Sequence, residues 1–322
     1  FRRVLFRSGT TGVTVGVFKF RPSAEAMTLN KIAVKLGNTN YGDVSKVYFY
    51  NGTTLLGSTI FTASQYATST LSTSLSLPAD TDTTVTVKAD LAEIGTGQSG
   101  VEGDLIQINP SGAEAVGVSS GNTKVIGSSD TVAGVRSYNT FPTFAQTTLS
   151  STGMADGKLM RFSVTANSTG NVGIGQFTFK IATTSTTVTN VQLFGFTDSG
   201  FSNGISSGAS SGGQIGNTLA GVGTGNFTIT PATSPVEVPA GSTYYFELRA
   251  SVTSGTNYSV TTQLVGDTNT APTTGTAAFS GVTGNFIWSP NATGTAATST
   301  GNDWTNGYSV SGLSRSEEHT SE

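Results

Sequence analysis

The chain has 322 residues, no Cys, one His, 41 Gly and a formal net charge of −3, with 11% charged residues against about 25% in an average globular protein. The lack of cysteine excludes a disulfide scaffold, a thiolate zinc site and a thiol enzyme, and the scattered Lys and Arg give no basic field for nucleic acid. Polarity comes instead from hydroxyls, since Ser and Thr together number 95.

Taken from the start, Phe1 to Ser8 (FRRVLFRS) can be written in codons as TTC AGA CGT GTG CTC TTC CGA TCT. The reverse complement translates as RSEEHTSE, which is Arg315 to Glu322. The two ends are thus one inverted DNA repeat, and it resembles a short-read sequencing adapter read in both directions. Residues 1–8 and 315–322 are therefore expected to be adapter artefact, without native packing contacts, and are set aside before the fold is read. Trimming removes four Lys/Arg, three Asp/Glu and His319, which leaves Gly9 to Ser314 with a net charge of −4 and no His. This stretch is expected to be an internal piece of a longer protein, with no membrane segment of its own.

After the first eight residues, apolar side chains recur at period two rather than 3.6. Ile32, Val34 and Leu36 alternate with polar neighbours; Val47 and Phe49 share one face of the next strand, and Tyr48 and Tyr50 the other. A turn follows at Asn51-Gly52. Val85, Val87, Ala89 and Leu91 then form the inner face of a strand entered through Pro78-Ala79-Asp80. Leu75 to Leu91 aligns without a gap on Val236 to Val252, a shift of 161 positions, while Val34-Lys35-Leu36 aligns on Phe179-Lys180-Ile181 and Val44 to Val47 on Val188 to Val191 at shifts of 145 and 144. Preserved block order marks an internal duplication. The larger shift of the last block comes from Gly/Ser-rich sequence near 198–226, read as a mobile surface excursion.

In the second copy Phe177, Phe179 and Ile181 face inward, as do Phe246, Leu248, Ala250 and Val252, with Tyr245, Glu247 and Arg249 on the solvated face. No window of twelve residues carries a helical stripe, and β-branched Thr and Val fill the intervals. The expected fold is all-β: two tandem antiparallel Ig-like β-sandwich domains, little or no helix, with modules at 9–136 and 137–314.

Without His or Cys, a Ser/His/Asp or Cys/His nucleophile is impossible in the trimmed chain, so no catalytic residue and no bound organic cofactor is expected. Calcium is the one cofactor for which residues can be named, because hard cations take loop carboxylates: Asp80 and Asp82 lie in one turn, Glu102 and Asp104 in another. Ordinary turn-forming Asp is the competing reading. Aromatic platforms for sugars are a further candidate, formed by Tyr48 and Tyr50, Phe194 and Phe196, and Trp304. Burial against a neighbouring module or a covering loop is the competing reading there.

The blocks Leu159 to Ile181 (LMRFSVTANSTGNVGIGQFTFKI), Val188 to Asp198 (VTNVQLFGFTD) and Val238 to Val252 (VPAGSTYYFELRASV) resemble repeated β-sandwich modules of large bacterial cell-surface proteins of S-layer or adhesin type, and Phe286 to Leu313 resembles segments closing the last such module. The resemblance implies a secreted, extracellular, non-catalytic protein. Its expected role is a spacer, stalk or envelope-layer component, with neighbouring modules, other surface proteins or cell-wall glycan as partners. The alternative is a carbohydrate-binding module attached to a further domain. The first copy carries Asp80 where the second has Gly241, so no liganding role transfers between the two turns.

Overall fold

A computed structural model describes residues 5–149, 156–253, 256–268, 278–292, 296–301, 303–313 and 315–320. Among them are no α-helices, only three short 3-10 turns at Tyr41–Asp43, Ser211–Gly213 and Phe279–Gly281. The chain divides into two compact units, Phe1–Tyr138 and Asn139–Glu322.

The strands of the first unit are β1 (Leu5–Arg7), β2 (Val13–Phe20), β3 (Met27–Leu36), β4 (Val44–Asn51), β5 (Thr54–Thr59), β6 (Tyr66–Leu77), β7 (Thr83–Leu91), β8 (Leu105–Ile106), β9 (Ile108–Gly117), β10 (Thr123–Gly127) and β11 (Val135–Tyr138). They form two antiparallel four-stranded sheets, ordered β2-β7-β4-β5 and β10-β9-β3-β6, and a small sheet β1-β11-β8. Period-two alternation decides what goes inside. Val85, Val87, Ala89 and Leu91 of β7 are buried, as are Val47 and Phe49 of β4 and Ile32, Val34 and Leu36 of β3, all in one core cluster shared by the two sheets. Thr and Ser take the outward positions, as along β6, where Thr68, Thr70 and Ser72 are exposed and Ala67 and Leu71 buried. Sandwich packing of this kind needs one apolar face per strand and leaves the other to water.

The second unit contains β12 (Pro142–Gln146), β13 (Lys158–Ala166), β14 (Val172–Thr184), β15 (Val188–Phe196), β16 (Gln214–Val222), β17 (Gly225–Ile229), β18 (Val236–Val238), β19 (Thr243–Val252), β20 (Ser259–Leu264), β21 (Ile287–Ser289), β22 (Thr305–Asn306) and β23 (Arg315–Thr320). One sheet runs β12-β13-β19-β15-β16; the other is built around β14, with β20, β21 and their neighbours along one side and β17 and β18 also paired to it. Its core is aromatic: Phe162 stacks on Phe246 at 5.1 Å between ring centres, and Phe286 meets Phe144 edge-on at 4.9 Å.

The duplication read from the sequence recurs in the pairing. β13-β19-β15-β16 repeats the order of β2-β7-β4-β5. Register agrees at the level of single residues: Phe49 faces Val87 in the first unit and Leu193 faces Leu248 in the second, positions related by the same shifts of 144 and 161. The turns before β7 and β19 match as well. Asp80 and Gly241 both adopt the left-handed conformation, with φ of 53° and 69°, which Asp tolerates among side-chain-bearing residues and glycine adopts freely.

Two expectations are corrected here. The terminal segments do not stand apart from the fold: β1 pairs in parallel with β11 and buries Leu5, and β23 pairs antiparallel with β20. An open sheet edge presents unpaired N–H and C=O groups that any extended backbone satisfies, whatever its side chains.

The second correction concerns the Gly/Ser-rich stretch. β4 and β5 are joined by a two-residue turn at Gly52-Thr53, whereas β15 and β16 are joined by residues 197–213. This longer connection folds back on its own sheet. Ile205 is buried and its N–H donates to the Gly195 carbonyl at 3.0 Å, while Phe201 packs edge-on against Phe196 and Tyr245. A β-carbon at Gly195 would lie 2.5 Å from the Ile205 side chain, so glycine on the strand is what allows the loop this close.

Candidate functional site

The side chains singled out from the sequence fall at five places. In the first unit, Tyr48 and Tyr50 lie half-buried on the outer face of β4. The Tyr48 hydroxyl donates to the Asp90 carboxylate at 2.7 Å, and that bond, with burial second, raises the phenol above its usual range. Lys46 sits 5.2 Å from the Tyr48 ring centre and Lys88 5.0 Å from that of Tyr50.

The equivalent face of the second unit carries a denser arrangement. Glu247 is 0% exposed. Its two oxygens accept from Arg161 Nε and Arg249 Nε, each at 2.5 Å. Cross-strand register creates the cluster, because Arg161 is directly opposite Glu247 on β13 and Phe194 opposite it on β15, and directly opposed side chains share a face. Arg161 then lies 4.0 Å from the Phe201 ring centre, and Arg249 4.3 Å from that of Phe194.

Phe196 is buried beneath Phe201. It offers no face to a sugar, because the loop supplied by the second unit's extra residues occupies it. Reading Glu247 as a solvated strand residue is corrected for the same reason. In the first unit the matching positions are Val17, Thr86, Lys88 and Tyr50, so the cation-over-aromatic contact is shared while the buried ion cluster and its covering loop belong to the second unit alone.

Trp304 is also no platform. It is fully buried, donates its indole N–H to the Thr298 carbonyl at 2.8 Å and meets Phe279 edge-on at 5.2 Å, in a small apolar cluster with Val282 and Ile287.

Among the calcium candidates, Asp82 holds Lys19 at 3.0 Å and Arg21 at 3.5 Å. Its carboxyl is held below the usual range, chiefly by the Lys19 hydrogen bond. The Asp80 backbone N–H donates to Pro22 O at 2.8 Å in the turn entering β7. Glu102 is buried, and Asp104 accepts from the Asn40 amide.

Beside Asp104 stands Asp43, a residue the sequence reading passed over. It is 2% exposed, accepts from Asn38 Nδ2 at 3.0 Å and from the Val101 N–H at 2.8 Å, and is pushed up to about 7, first by burial and then by the nearby Asp104 charge. Asn38, Asn40 and Asp43 flanking a 3-10 turn were the visible signal. Among the described residues, no three His, Asp or Glu side chains converge as a metal centre.

The sequence matches no family model and no curated protein. Solved structures similar to the chain include serine-rich repeat protein Srr2 of Streptococcus agalactiae, at 11% identity over 77% of this chain and 78% of that one with a TM-score of 0.18. They also include the C-terminal domain of the S. agalactiae antigen I/II polypeptide BspA, at 8% over 80% and 90% with a TM-score of 0.18. The C-terminal domain of the Streptococcus pyogenes antigen I/II-family protein AspA matches at 7% over 80% and 90%, with a TM-score of 0.20. Likeness of that degree carries no argument about this chain's strand arrangement or role. Among the described residues, no helix is long and apolar enough to cross a membrane.

Proposed function

We propose that the chain is a non-catalytic structural or adhesive part of a larger exported bacterial cell-surface protein, acting as a spacer, stalk or envelope-layer component. The observation that carries this reading is the repeated sheet plan: two consecutive units that share a four-strand order and register in one sheet, each with its own apolar core. Repetition of a self-sufficient unit lengthens a protein without new chemistry, and hydroxyl-rich outer faces keep such a unit hydrated at low charge. Supporting it, Phe196 and Trp304 are spent on internal packing. The reading assigns no cofactor.

One observation favours the alternative, a carbohydrate-binding module. Tyr48 and Tyr50 are only half-buried, flanked by Lys46 and Lys88, and their strand connects to its neighbour by a two-residue turn rather than a covering loop. A soluble glycan panel including peptidoglycan fragments, screened with the chain and with Tyr48→Ala/Tyr50→Ala, separates the two. The structural reading expects no saturable binding below about 1 mM, a Kd equivalent to roughly −4 kcal/mol. Tighter binding that the double variant abolishes would replace it with the alternative.

A further inference from the structure

Because the two units share their register, the residues at one end of the first sandwich have counterparts in the second. Leu29 pairs with Leu75 on one side and Ala115 on the other; Ile174 pairs with Val236 and Trp288. The register shifts immediately after both, at Asn30 and Gly175. Ala115 therefore holds the place of Trp288, and Ala113, two residues earlier, that of Phe286.

In the second unit both aromatic side chains are fully buried, and Phe286 packs on Phe177 at 5.7 Å. In the first unit two methyl groups stand there. The space they leave is an open groove of about 440 Å³ lined by Met27, Leu29, Leu77, Ala113, Ala115 and Ile126 among others, a size that fits a ligand site.

One wall of this groove is β10, an edge strand paired only to β9. Val125 and Ile126 on it are 68% and 48% exposed, an unusual load of apolar surface for a free edge, which otherwise invites pairing with another strand. The rim is mixed in charge, with Lys124, the Glu25 carboxylate and Arg21 lining it and Arg21 paired to Asp82. It is also preformed: the Glu25 carboxylate accepts from the N–H groups of Ser119 and Ser120 and from the Ser120 hydroxyl, pinning the β9–β10 turn. A preformed site avoids part of the ordering cost of binding.

We propose that this groove binds an extended segment of a partner protein, which adds as a strand to β10 and turns aromatic side chains at alternate positions into the groove, on the face that Ile126 and Lys124 share with Ala113 and Ala115. The sister unit gives the ligand chemistry, since Phe and Trp two residues apart fill the same place there from within. The free edge gives the backbone mode. The inference stands independently of whether the chain serves as a spacer.

A fluorescein-labelled peptide with the sequence of Gly284–Pro290 tests it by fluorescence anisotropy with the full chain. Saturable one-to-one binding is expected, weakened at least tenfold when the peptide's Phe and Trp are both changed to Ala. Ala115→Trp should weaken it as much, because the new indole takes the groove as Trp288 does in the second unit. Ile126→Asp, at an exposed position that leaves the core untouched, should weaken binding at least fivefold with an unchanged unfolding midpoint. Absence of saturable binding up to 1 mM peptide, or equal affinity for the Ala-substituted peptide, overturns the proposal. So does an Ile126→Asp effect on self-association rather than on peptide affinity, since β10 is then a contact between copies.

Discussion

Asp43 lies at the end of a short 3-10 turn, held by Asn38 and by the Val101 amide and pressed by Asp104. Burial raises its carboxyl to about 7 from an ordinary value of 3.8, so the folded chain keeps a proton that the unfolded chain gives up. The stabilisation is full below about pH 4, where both states are protonated. It declines as pH rises from 4 toward 7, because only the unfolded state gains by ionising, and is lost above that. The unfolding free energy of the first unit should therefore fall across pH 4.5 to 7, with a slope approaching that of one proton. Asp43→Asn, which retains the carbonyl acceptor and cannot titrate, should flatten that segment; urea titrations at four pH values check this, and an unchanged slope in the variant would remove Asp43 as its source. The residue was hard to see in the sequence because an Asp among Asn, Tyr and Gly is also how an exposed turn is written. What sets it apart is Val101, more than fifty positions away, whose amide closes over it.

The 197–213 connection is the element whose behaviour departs most from its composition. Gly and Ser supply little apolar surface, and taken alone they describe a solvated loop. Two side chains change this. Ile205 enters the space above Gly195, and Phe201 lies over Arg161 and against Phe196. Glu247 is buried by the Arg161 and Arg249 side chains it holds together, with Phe201 packed on Arg161, and it depends on both arginines because an isolated buried carboxylate is strongly penalised. Ile205→Ala should cost the second unit about 2–5 kcal/mol, the range for truncating a buried Ile to Ala, and should open residues 197–213 to limited proteolysis before the sheet unfolds. A stability change under 0.5 kcal/mol with an intact loop would show that Ile205 does not anchor it. The strand beneath was legible: Phe246 and Leu248 alternate as expected and face the core. Ala250 and Val252 in the same alternation are only partly buried, since they approach the strand end, where less of the opposing sheet covers them.

At the scale of the molecule, most of each unit's core comes from the body of the chain rather than from its ends. The first unit's main cluster runs from Val13 to Val135, and the second is centred on Phe162, Phe177, Phe246 and Phe286. β1 pairs at a sheet margin, buries Leu5 and packs Phe6 against the first cluster, while β23 adds backbone pairing. A chain of residues 9–314 should keep its near-UV circular dichroism, with the second unit's unfolding midpoint within about 5 °C of the full chain's and the first unit destabilised by about 1.5–3 kcal/mol, the worth of one buried Leu. Loss of cooperative unfolding on trimming would mean that the terminal strands are integral to the cores. By itself the sequence determined the strands, most of their inner faces, the duplication and the lack of cysteine, because period-two alternation, turn residues and composition are local or countable properties. Only the tertiary structure decided what covers each outer face: the loop over Phe196, the arginines on Glu247, the burial of Trp304, and the groove left open over Ala113 and Ala115. Alternation says which way a side chain points, whereas its exposure depends on residues that folding brings from far along the chain.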